Sequence, residues 1–246
     1  MKFYTLGTSH GATEKGRSCS GNLIEINGSY YLFDCGGDVE RKMTDMELHI
    51  GKIKAVFVSH MHCDHVTTLP SIAKFFTIGY NNLKTTLNIF LPAKDGLDAF
   101  KCWMKALSMD PDSDKLIMTS FEGGIIYSDE NVTVTAIPTK HMYDGAKPSF
   151  AFMIETSCGK RVLYTGDLNC NFLDYPKIGF EKDFDLIVSE LVHFNVEKNL
   201  DTILASRTKK LVFTHLAPRN IPVIENVRGR FPFEVFIAED LNCYEI

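Results

Sequence analysis

The strongest constraint on this chain is a run of metal-binding residue types at positions 59–65. The sequence Ser-His-Met-His-Cys-Asp-His places three imidazoles and a carboxylate side by side, directly after the apolar segment 55–58. Burying such side chains without partners is costly, so a hydrophobic core does not favour this density. Imidazole nitrogen and carboxylate oxygen suit zinc, and to a lesser degree manganese or iron. The run therefore predicts a metal site at the end of a strand.

Further candidate ligands stand where other predicted strands end. His141, Asp167 and His215 each follow a short apolar run, and Gly166 lets the backbone approach closely beside Asp167. Any one of them alone is better explained as a turn or a hydrogen-bonding residue. Together with the 59–65 run they supply six or seven nitrogen and oxygen ligands, about the number that two metal ions need.

The rest of the chain predicts a single α/β domain over residues 1–246. A chain of 246 residues with 45% hydrophobic and 23% charged residues can bury a full core, so a metal would serve chemistry rather than folding. Strands are predicted at 23–26, 30–34, 55–58, 87–91, 132–137, 150–154, 162–164, 186–188, 211–213 and 235–237. Helices are predicted at 39–50, 67–79, 96–109 and 196–207. This mixture favours mixed sheets with helices on their outer faces.

Charge, cysteine content and hydropathy narrow the expected environment. The formal net charge is -5, so no general basic field exists to hold a long nucleic acid. Seven cysteines, an odd number without paired spacing, favour reduced thiols over disulfides. The sequence has neither an apolar leader at its start nor an apolar run of about 18 residues. We therefore expect a cytoplasmic protein without a membrane span.

The order of these motifs resembles the metallo-β-lactamase superfamily over nearly the whole chain. The HxHxDH run, His141, the Gly166-Asp167 pair and His215 carry that resemblance, and segments 32–36 and 213–215 resemble the ribonuclease Z group of phosphodiesterases. The resemblance implies a four-layer αβ/βα sandwich of two mixed sheets with outer helices. It places two metal ions at one edge, between the sheets.

The resemblance also implies a ligand set for two zinc ions, with manganese or iron as alternatives. It assigns His60, His62 and His141 to one zinc, Asp64, His65 and His215 to the other, and Asp167 to a bridge between them. Asp34 matches an aspartate that orients a ligand. An aspartate rather than a cysteine at 167 is unlike the zinc β-lactamases, and a histidine rather than a glutamate at 62 is unlike the di-iron flavoproteins. Hydrolysis without redox chemistry is the reaction class that is left.

The implied chemistry is attack by metal-bound hydroxide. Two zinc ions that share a water lower its pKa towards 7, and Asp64 would accept or orient the proton of this nucleophile. His193 follows the predicted strand 186–188, so we expect it to act as general acid with Glu190 as its orienting partner. A histidine of a surface loop explains His193 equally well, and ribonuclease Z-like enzymes place the corresponding histidine farther from the glutamate.

The substrate is predicted to be a small or cyclic phosphodiester or a short RNA-like molecule. The negative net charge disfavours a tRNA substrate, and the short gap from His141 to Asp167 leaves no room for a tRNA-binding arm. Lys140, Lys147 and Arg219 lie near the predicted ligands in the sequence and are candidates to bind a phosphate. Five aromatic residues after His65 are expected in the core, with stacking on a substrate ring as the alternative: Phe75, Phe76, Tyr80, Phe100 and Trp103.

Two other functions stay open at this point. A thioester or ester hydrolase of the hydroxyacylglutathione hydrolase type uses the same ligand set, and a noncatalytic metal-binding scaffold could retain it. As partners we expect a small-molecule or short nucleotide substrate, no long nucleic acid and no membrane, with a second copy of the chain as a candidate partner.

Overall fold

The computed structural model of the chain describes residues 1–78 and 85–246. Within these residues the chain divides into two compact units. The first unit comprises Met1–Gly7, Gly11–Phe121 and Asp240–Glu245, and the second comprises Thr8–His10, Glu122–Glu239 and Ile246. Whether they act as the single predicted domain of residues 1–246 stays a prediction.

Strands make up most of the regular structure in the described residues. In chain order the strands are β1 Lys2–Gly7, β2 Gly21–Ile26, β3 Ser29–Cys35, β4 Ile53–Phe57, β5 Leu87–Pro92, β6 Leu116–Phe121, β7 Gly124–Ser128, β8 Val132–Pro138, β9 Phe150–Thr156, β10 Arg161–Tyr164, β11 Leu186–Leu191, β12 Lys210–Leu216, β13 Glu234–Ile237 and β14 Asn242–Glu245. The α-helices are α1 Val39–Asp45, α2 Cys63–Val66, α3 Leu69–Thr77, α4 Ala93–Ala106, α5 Ile178–Glu181, α6 Val196–Leu204 and α7 Ile221–Val227.

Each unit contains one mixed sheet, which in the described part of the chain has seven strands. The first sheet has the order β14-β1-β2-β3-β4-β5-β6, with antiparallel pairs up to β3 and parallel pairs after it. The second has the order β13-β12-β11-β10-β9-β8-β7, antiparallel from β7 to β10 and parallel from β10 to β13. The predicted α/β class with two mixed sheets and flanking helices is confirmed.

The parallel halves of the sheets explain where polar residues gather. Neighbouring parallel strands end at the same edge of a sheet, so the loops that follow them lie together. In the first unit, β3 and β4 lead into Asp34 and the 59–65 run at one such edge. In the second unit, the loops after β10, β11 and β12 share the corresponding edge.

Apolar side chains on the sheet faces form the cores. In the first unit, helices α1, α3 and α4 pack their apolar residues against Leu32, Val56 and Ile89. In the second unit, α6 and α7 pack against strands β10 to β12, with Ile187 and Phe213 in the buried cluster. Phe76 and Phe100 are core residues, as expected from the sequence, while Trp103 is partly exposed and Tyr80 lies outside the described residues.

Several predicted helix limits were wrong because left-handed backbone positions or turns end the helices. The predicted helix 39–50 ends at Asp45, and Glu47 has φ 58° before a separate 3-10 turn Ile50–Lys52. The predicted helix 96–109 runs from Ala93 to Ala106, with Ser108 at φ 58° after it. The helix predicted over 67–79 is α3, preceded by the separate α2, and its predicted end lies outside the described residues. Strands β1, β6, β7 and β14 had no individual prediction.

Strands β2 and β3 form a hairpin joined by a two-residue turn. Asn27 and Gly28 both have positive φ, 50° and 76°, which matches the tight two-residue turn that Asn-Gly favours. None of the described helices has the length and apolar character needed to cross a membrane.

Candidate metal centre

In the first unit, the 59–65 run forms the turn between β4 and α2. His62 is extended, at φ -66° and ψ 145°, and precedes the first residue of α2. The helix is one turn long, which brings Asp64 and His65 back towards the end of β4. His60, Asp64 and His65 are buried, whereas His62 is exposed. A short apolar strand followed at once by a helical turn therefore concentrates the polar side chains.

Asp34 is the hydrogen-bonding centre of this turn. Its carboxylate accepts the Ser59 backbone N–H at 2.7 Å, the Ser59 hydroxyl at 2.8 Å and the His65 Nδ1 proton at 2.8 Å. Asp34 is fully buried and has φ 59°, a left-handed conformation at the end of β3. Because Nδ1 of His65 donates to this carboxylate, Nε2 keeps the lone pair that a metal ligand needs.

The donor atoms of the first unit point towards one another. His60 Nε2 lies 2.9 Å from His62 Nδ1, and His65 Nε2 lies 3.4 Å from Asp64 Oδ2. The rings of His60 and His65 are 4.1 Å apart between centroids. Such spacing of imidazole and carboxylate donors in a buried place is typical of metal ligands rather than of a surface turn.

The backbone holds α2 tightly against the end of β3. A Cβ atom on Gly36 would lie 1.5 Å from the carbonyl oxygen of Asp64, so only glycine allows this approach. Thr68 strengthens the same contact, because its N–H and its hydroxyl both donate to the Cys35 carbonyl, at 2.9 and 2.6 Å. The position of Asp64 thus depends on a glycine in the preceding loop.

In the second unit, three imidazoles surround Asp167. Its Oδ2 lies 3.3 Å from His215 Nε2, 3.7 Å from His141 Nε2 and 3.8 Å from His193 Nδ1, and the side chain is 3% exposed. Donor atoms of Asp167, His193 and His215 all lie within 4.8 Å of one another. Nitrogen and oxygen donors at this spacing fit a zinc ion, so the donor set agrees with the implied metal.

Two backbone features position the side chains of His215 and Asp167. His215 has φ 49° and is the extra residue of a bulge, since Thr214 pairs with Glu190 while Leu216 pairs with Leu191. Gly166, at φ 57°, turns the chain sharply after β10 and directs Asp167 to the same edge of the sheet.

Glu190 is buried and organises the loop that carries His193. It accepts backbone N–H groups from Leu168 at 2.6 Å and from Val192 and His193 at 2.9 Å. It also lies 3.0 Å from His193 Nδ1, so the two residues are brought together as expected. The His193 ring, 29% exposed, has its centroid 4.5 Å from that of His141 and 5.7 Å from that of His215.

The segment after His141 is tied to the segment after Asp167 by residues that the sequence reasoning missed. His141 Nδ1 lies 3.2 Å from the Leu168 carbonyl, which leaves Nε2 facing Asp167. Asn169 Nδ2 donates to the Lys140 carbonyl at 3.0 Å. The only signal for Asn169 in the sequence is its place two residues after Asp167, at a strand end.

The basic residues predicted near the site are exposed in the second unit. Lys140, Lys147 and Arg219 all lie at the surface, and Arg219 Nη2 donates to the Val192 carbonyl at 3.2 Å, next to His193. Lys140 and Lys147 lie on either side of the turn that follows His141. All three positive charges therefore lie at the surface of the second unit.

Comparison with known proteins adds a family and a fold. The family model described as Anti-Pycsar protein Apyc1 matches residues 1–226. A protein named Ribonuclease Z from Anoxybacillus flavithermus is 30% identical over 157 residues, which cover 63% of this chain and 48% of that protein. The chain spans about half the length of the first curated relatives it matches.

Solved structures agree with the fold implied by the motifs. Human tRNase Z, short form, gives a TM-score of 0.77 at 20% identity, covering 100% of this chain and 99% of the human one. The metallo-beta-lactamase fold protein YhfI from Bacillus subtilis gives 0.77 at 22% identity, covering 99% of both chains. The predicted metallo-β-lactamase fold and the resemblance to ribonuclease Z are confirmed, and both agree with the predicted class of metal-dependent hydrolase.

Proposed function

This chain belongs to the Anti-Pycsar protein Apyc1 family, and from that premise we propose that it is a binuclear zinc-dependent phosphodiesterase. The observation that carries the proposal is the group of three imidazoles around the buried Asp167. A carboxylate enclosed by imidazole nitrogens is a poor core element and a good metal ligand. The similarity to proteins named ribonuclease Z supports phosphodiester cleavage as the reaction.

The proposed ligand set is the one that the resemblance implies. It consists of His60, His62 and His141 for one zinc, Asp64, His65 and His215 for the other, and Asp167 as the shared ligand. The donor types suit zinc, with manganese or iron as alternatives. Zinc bound in such a site would act as a Lewis acid and would lower the pKa of a bound water to about 7.

The surrounding residues hold the ligands in the required tautomer and orientation. Asp34 accepts the Nδ1 proton of His65, and the Leu168 carbonyl does the same for His141. In each ring the other nitrogen, Nε2, is thereby kept as the donor atom. Asp64 is proposed to accept or orient the proton of the attacking water.

His193 is proposed to protonate the leaving oxygen. Its Nδ1 lies against Glu190, which fixes the ring and stabilises the imidazolium form, so Nε2 is the atom from which a proton leaves. The ring is partly exposed, so an incoming substrate can reach it. Because His193 Nδ1 lies 3.8 Å from Asp167 Oδ2, metal ligation is the competing role, and the two roles differ in how activity responds to the leaving group.

A small or cyclic phosphodiester, such as a cyclic nucleotide or a cyclic sugar phosphate, or a short RNA-like molecule, is the proposed substrate. Strands β9 and β10 are joined by the tight turn 157–160, so the gap between His141 and Asp167 carries no protruding arm. The net charge of -5 does not favour a long nucleic acid. Lys140, Lys147 and Arg219 are proposed to bind the phosphate. A cytoplasmic location and a homodimer stay predictions.

A direct comparison of two substrates tests this function. We would assay purified, zinc-loaded protein on bis-p-nitrophenyl phosphate and on S-lactoylglutathione under the same conditions. Turnover of the phosphodiester alone is the expected result. Cleavage of the thioester alone would replace the proposal with a hydrolase of the hydroxyacylglutathione type. Bound metal without turnover of either substrate would favour a noncatalytic scaffold.

A further inference from the structure

We propose that Cys19 and Cys63 form an oxidisable thiol pair, a modification site for peroxides in the first unit. The disulfide between them would join the loop 11–19 to α2. The pairing itself is independent of the reaction that the protein catalyses. Only its effect on zinc rests on the proposed function, because the neighbours of Cys63 in the sequence, His62 and Asp64, belong to the proposed ligand set.

Both cysteines line one cavity of the first unit. The cavity has a volume of about 320 Å³, and Cys19 and Cys63 share its wall with Asp64. This volume has room for roughly ten water molecules, so a molecule the size of hydrogen peroxide can enter it. The two thiol side chains therefore border the same small space.

Two consecutive glycines bring together the segments that carry these cysteines. A Cβ atom on Gly37 would lie 3.0 Å from the backbone nitrogen of Cys19 and 3.3 Å from its Cβ. A Cβ atom on Gly36 would lie 1.5 Å from the carbonyl oxygen of Asp64, the residue after Cys63. The loop 11–19 and α2 thus pack against neighbouring residues of one short stretch of chain, where glycine leaves them room.

The two thiols differ in their surroundings, and this sets the order in which they react. Cys63 is exposed at the first position of α2, whereas Cys19 is half-buried. Burial raises the pKa of Cys19, against a hydrogen bond with Thr13 that lowers it. The charges of Asp64 and Cys63 act in the same direction as burial, so both groups lie near the Cys19 sulfur. Cys63 is therefore the thiol that a peroxide oxidises first, and Cys19 is the thiol that then closes the disulfide.

The reaction needs only hydrogen peroxide as the oxidant. The Cys63 sulfur attacks one peroxide oxygen, an S–O bond forms as the O–O bond breaks, and one water leaves. The product is a sulfenic acid at Cys63. The Cys19 sulfur then attacks the Cys63 sulfur, an S–S bond forms as the S–O bond breaks, and the hydroxyl leaves with the thiol proton as a second water. The two thiols lose two electrons in total, and the peroxide is reduced to two waters.

A disulfide at this place would act on the candidate metal ligands. Cys63 is flanked by His62 and Asp64, and α2 is only one turn long. A disulfide holds its two Cα atoms about 4.4 to 6.8 Å apart, so the bond fixes the start of α2 to the loop 11–19. Since the orientation of ligands controls metal affinity, we expect the Kd for zinc to rise about ten-fold or more in the oxidised protein.

Peptide mass spectrometry tests the pairing without the need for turnover. We would treat reduced protein with hydrogen peroxide, block the remaining thiols with N-ethylmaleimide and digest with trypsin. This enzyme releases Cys19 in peptide 18–41 and Cys63 in peptide 55–74. We expect the two peptides to be linked, and we expect fragment ions to place the link on Cys19 rather than on the fully buried Cys35 of the same peptide.

Matched variants identify the two sulfurs. The link should be absent from Cys19→Ser and from Cys63→Ser, and in Cys19→Ser the sulfenic acid of Cys63 should be trapped by dimedone. Cys102→Ser, at an exposed cysteine of α4, should form the link as wild type does.

Zinc affinity, measured by competition with a chromophoric chelator, gives the second readout. The rise in Kd should be seen in oxidised wild type and in oxidised Cys102→Ser, should be reversed by reduction and should be absent from Cys19→Ser. Peroxide treatment that yields no link between residues 19 and 63 would overturn the inference, and a link without a change in Kd would overturn its effect on the metal centre. If the reduced protein binds no zinc, the proposed function fails, whereas the linked peptide still decides the pairing.

Discussion

Asp167 has an unusual environment for a carboxylate. It is buried, and three imidazole nitrogens of the second unit lie within 3.8 Å of its Oδ2: those of His141 and His193, in the loops after β8 and β11, and that of His215, at the bulge in β12. The loops that carry His141 and His193 do not depend on this carboxylate alone, because Asn169 and Glu190 make separate hydrogen bonds to their backbone. The side chain can therefore be removed without removing the bonds that shape the loops.

Removing this carboxylate should abolish activity and spare the fold. For Asp167→Ala we expect turnover to fall by orders of magnitude, since a shared metal ligand is lost, while circular dichroism and the melting curve still show a folded protein. Zinc content measured by elemental analysis should fall as well. Asp98→Ala is the control, at an exposed residue of α4 paired with Lys94. Full turnover by Asp167→Ala would show that the bridging role is wrong.

Substrates with different leaving groups test whether His193 acts as the general acid. If Nε2 delivers a proton, His193→Gln should slow substrates with poor alkoxide leaving groups by about 100-fold or more. It should slow bis-p-nitrophenyl phosphate much less, because p-nitrophenolate leaves without a proton. Equal slowing of both kinds of substrate would remove the general-acid role. A loss of bound zinc in the same variant would make His193 a ligand instead.

At the scale of residues, the sequence predicted the types of the candidate ligands but not the hydrogen bonds that orient them. The ligand types stood out because histidines and aspartates clustered at strand ends, and Asp34 and Glu190 followed from the resemblance and from spacing. The bonds of Asn169 and Asp174 were not predictable, because polar loop residues bond to whatever backbone the fold brings near. The orientation of His141 by a backbone carbonyl leaves no trace in the sequence at all.

Among the elements, α2 owes its position against β3 to a single glycine. A methyl group on Gly36 would overlap the Asp64 carbonyl, and the overlap is with backbone rather than with a movable side chain. The helix would have to move away from β3. Asp64 and His65 would then move with it.

Gly36→Ala should therefore destabilise the protein and weaken metal binding together. We expect the free energy of unfolding to fall by about 3 kcal/mol, because a buried backbone contact must open. Urea denaturation and a zinc titration measure the two effects. Gly229→Ala is the matched control, since a Cβ atom there meets nothing within 4 Å. Similar small effects from both substitutions would contradict the importance of this contact.

At the scale of elements, predictions were good for buried strands and poor for helix limits and edges. Continuous apolar runs identified the central strands, because burial on both faces leaves no polar alternation. The ends of α1 and α4 depend on single left-handed residues, Glu47 and Ser108, that carry no turn signature. Strand β7 is exposed along most of its length, so it lacks the apolar pattern by which strands are recognised.

For the whole molecule, stability should depend on pH through Asp185. Burial raises the pKa of Asp185, but hydrogen bonds from Lys209 and the Arg161 N–H, with the charge of Lys160, outweigh it and leave the pKa lowered. A lowered pKa in the folded state means that the ionised carboxylate stabilises the fold above its ordinary pKa, about 3.9. This contribution is lost as pH falls through the lowered value.

Asp185→Asn should therefore lower the free energy of unfolding by about 1 to 2 kcal/mol at pH 7, since the carboxylate is 13% exposed and bonded to charged donors. The difference from wild type should begin to shrink below about pH 4, where the carboxyl of the unfolded chain becomes protonated, and should be lost once pH falls through the lowered pKa of the folded state. Denaturation in urea at several pH values measures it. Asp112→Asn, at a 73% exposed ion pair, should show no such loss. A difference that grows towards low pH would contradict the assignment.

Two apolar cores, one in each unit, also mean that stability does not have to come from a metal. The most direct test of the account is therefore to follow zinc content and phosphodiester turnover together in native, chelator-treated and zinc-reloaded protein, with the melting curve of each. We expect two zinc ions per chain in the native protein, a folded but inactive protein after chelation, and turnover that returns with the zinc. A protein that is isolated without a transition metal and gains no turnover when zinc is added would contradict the account.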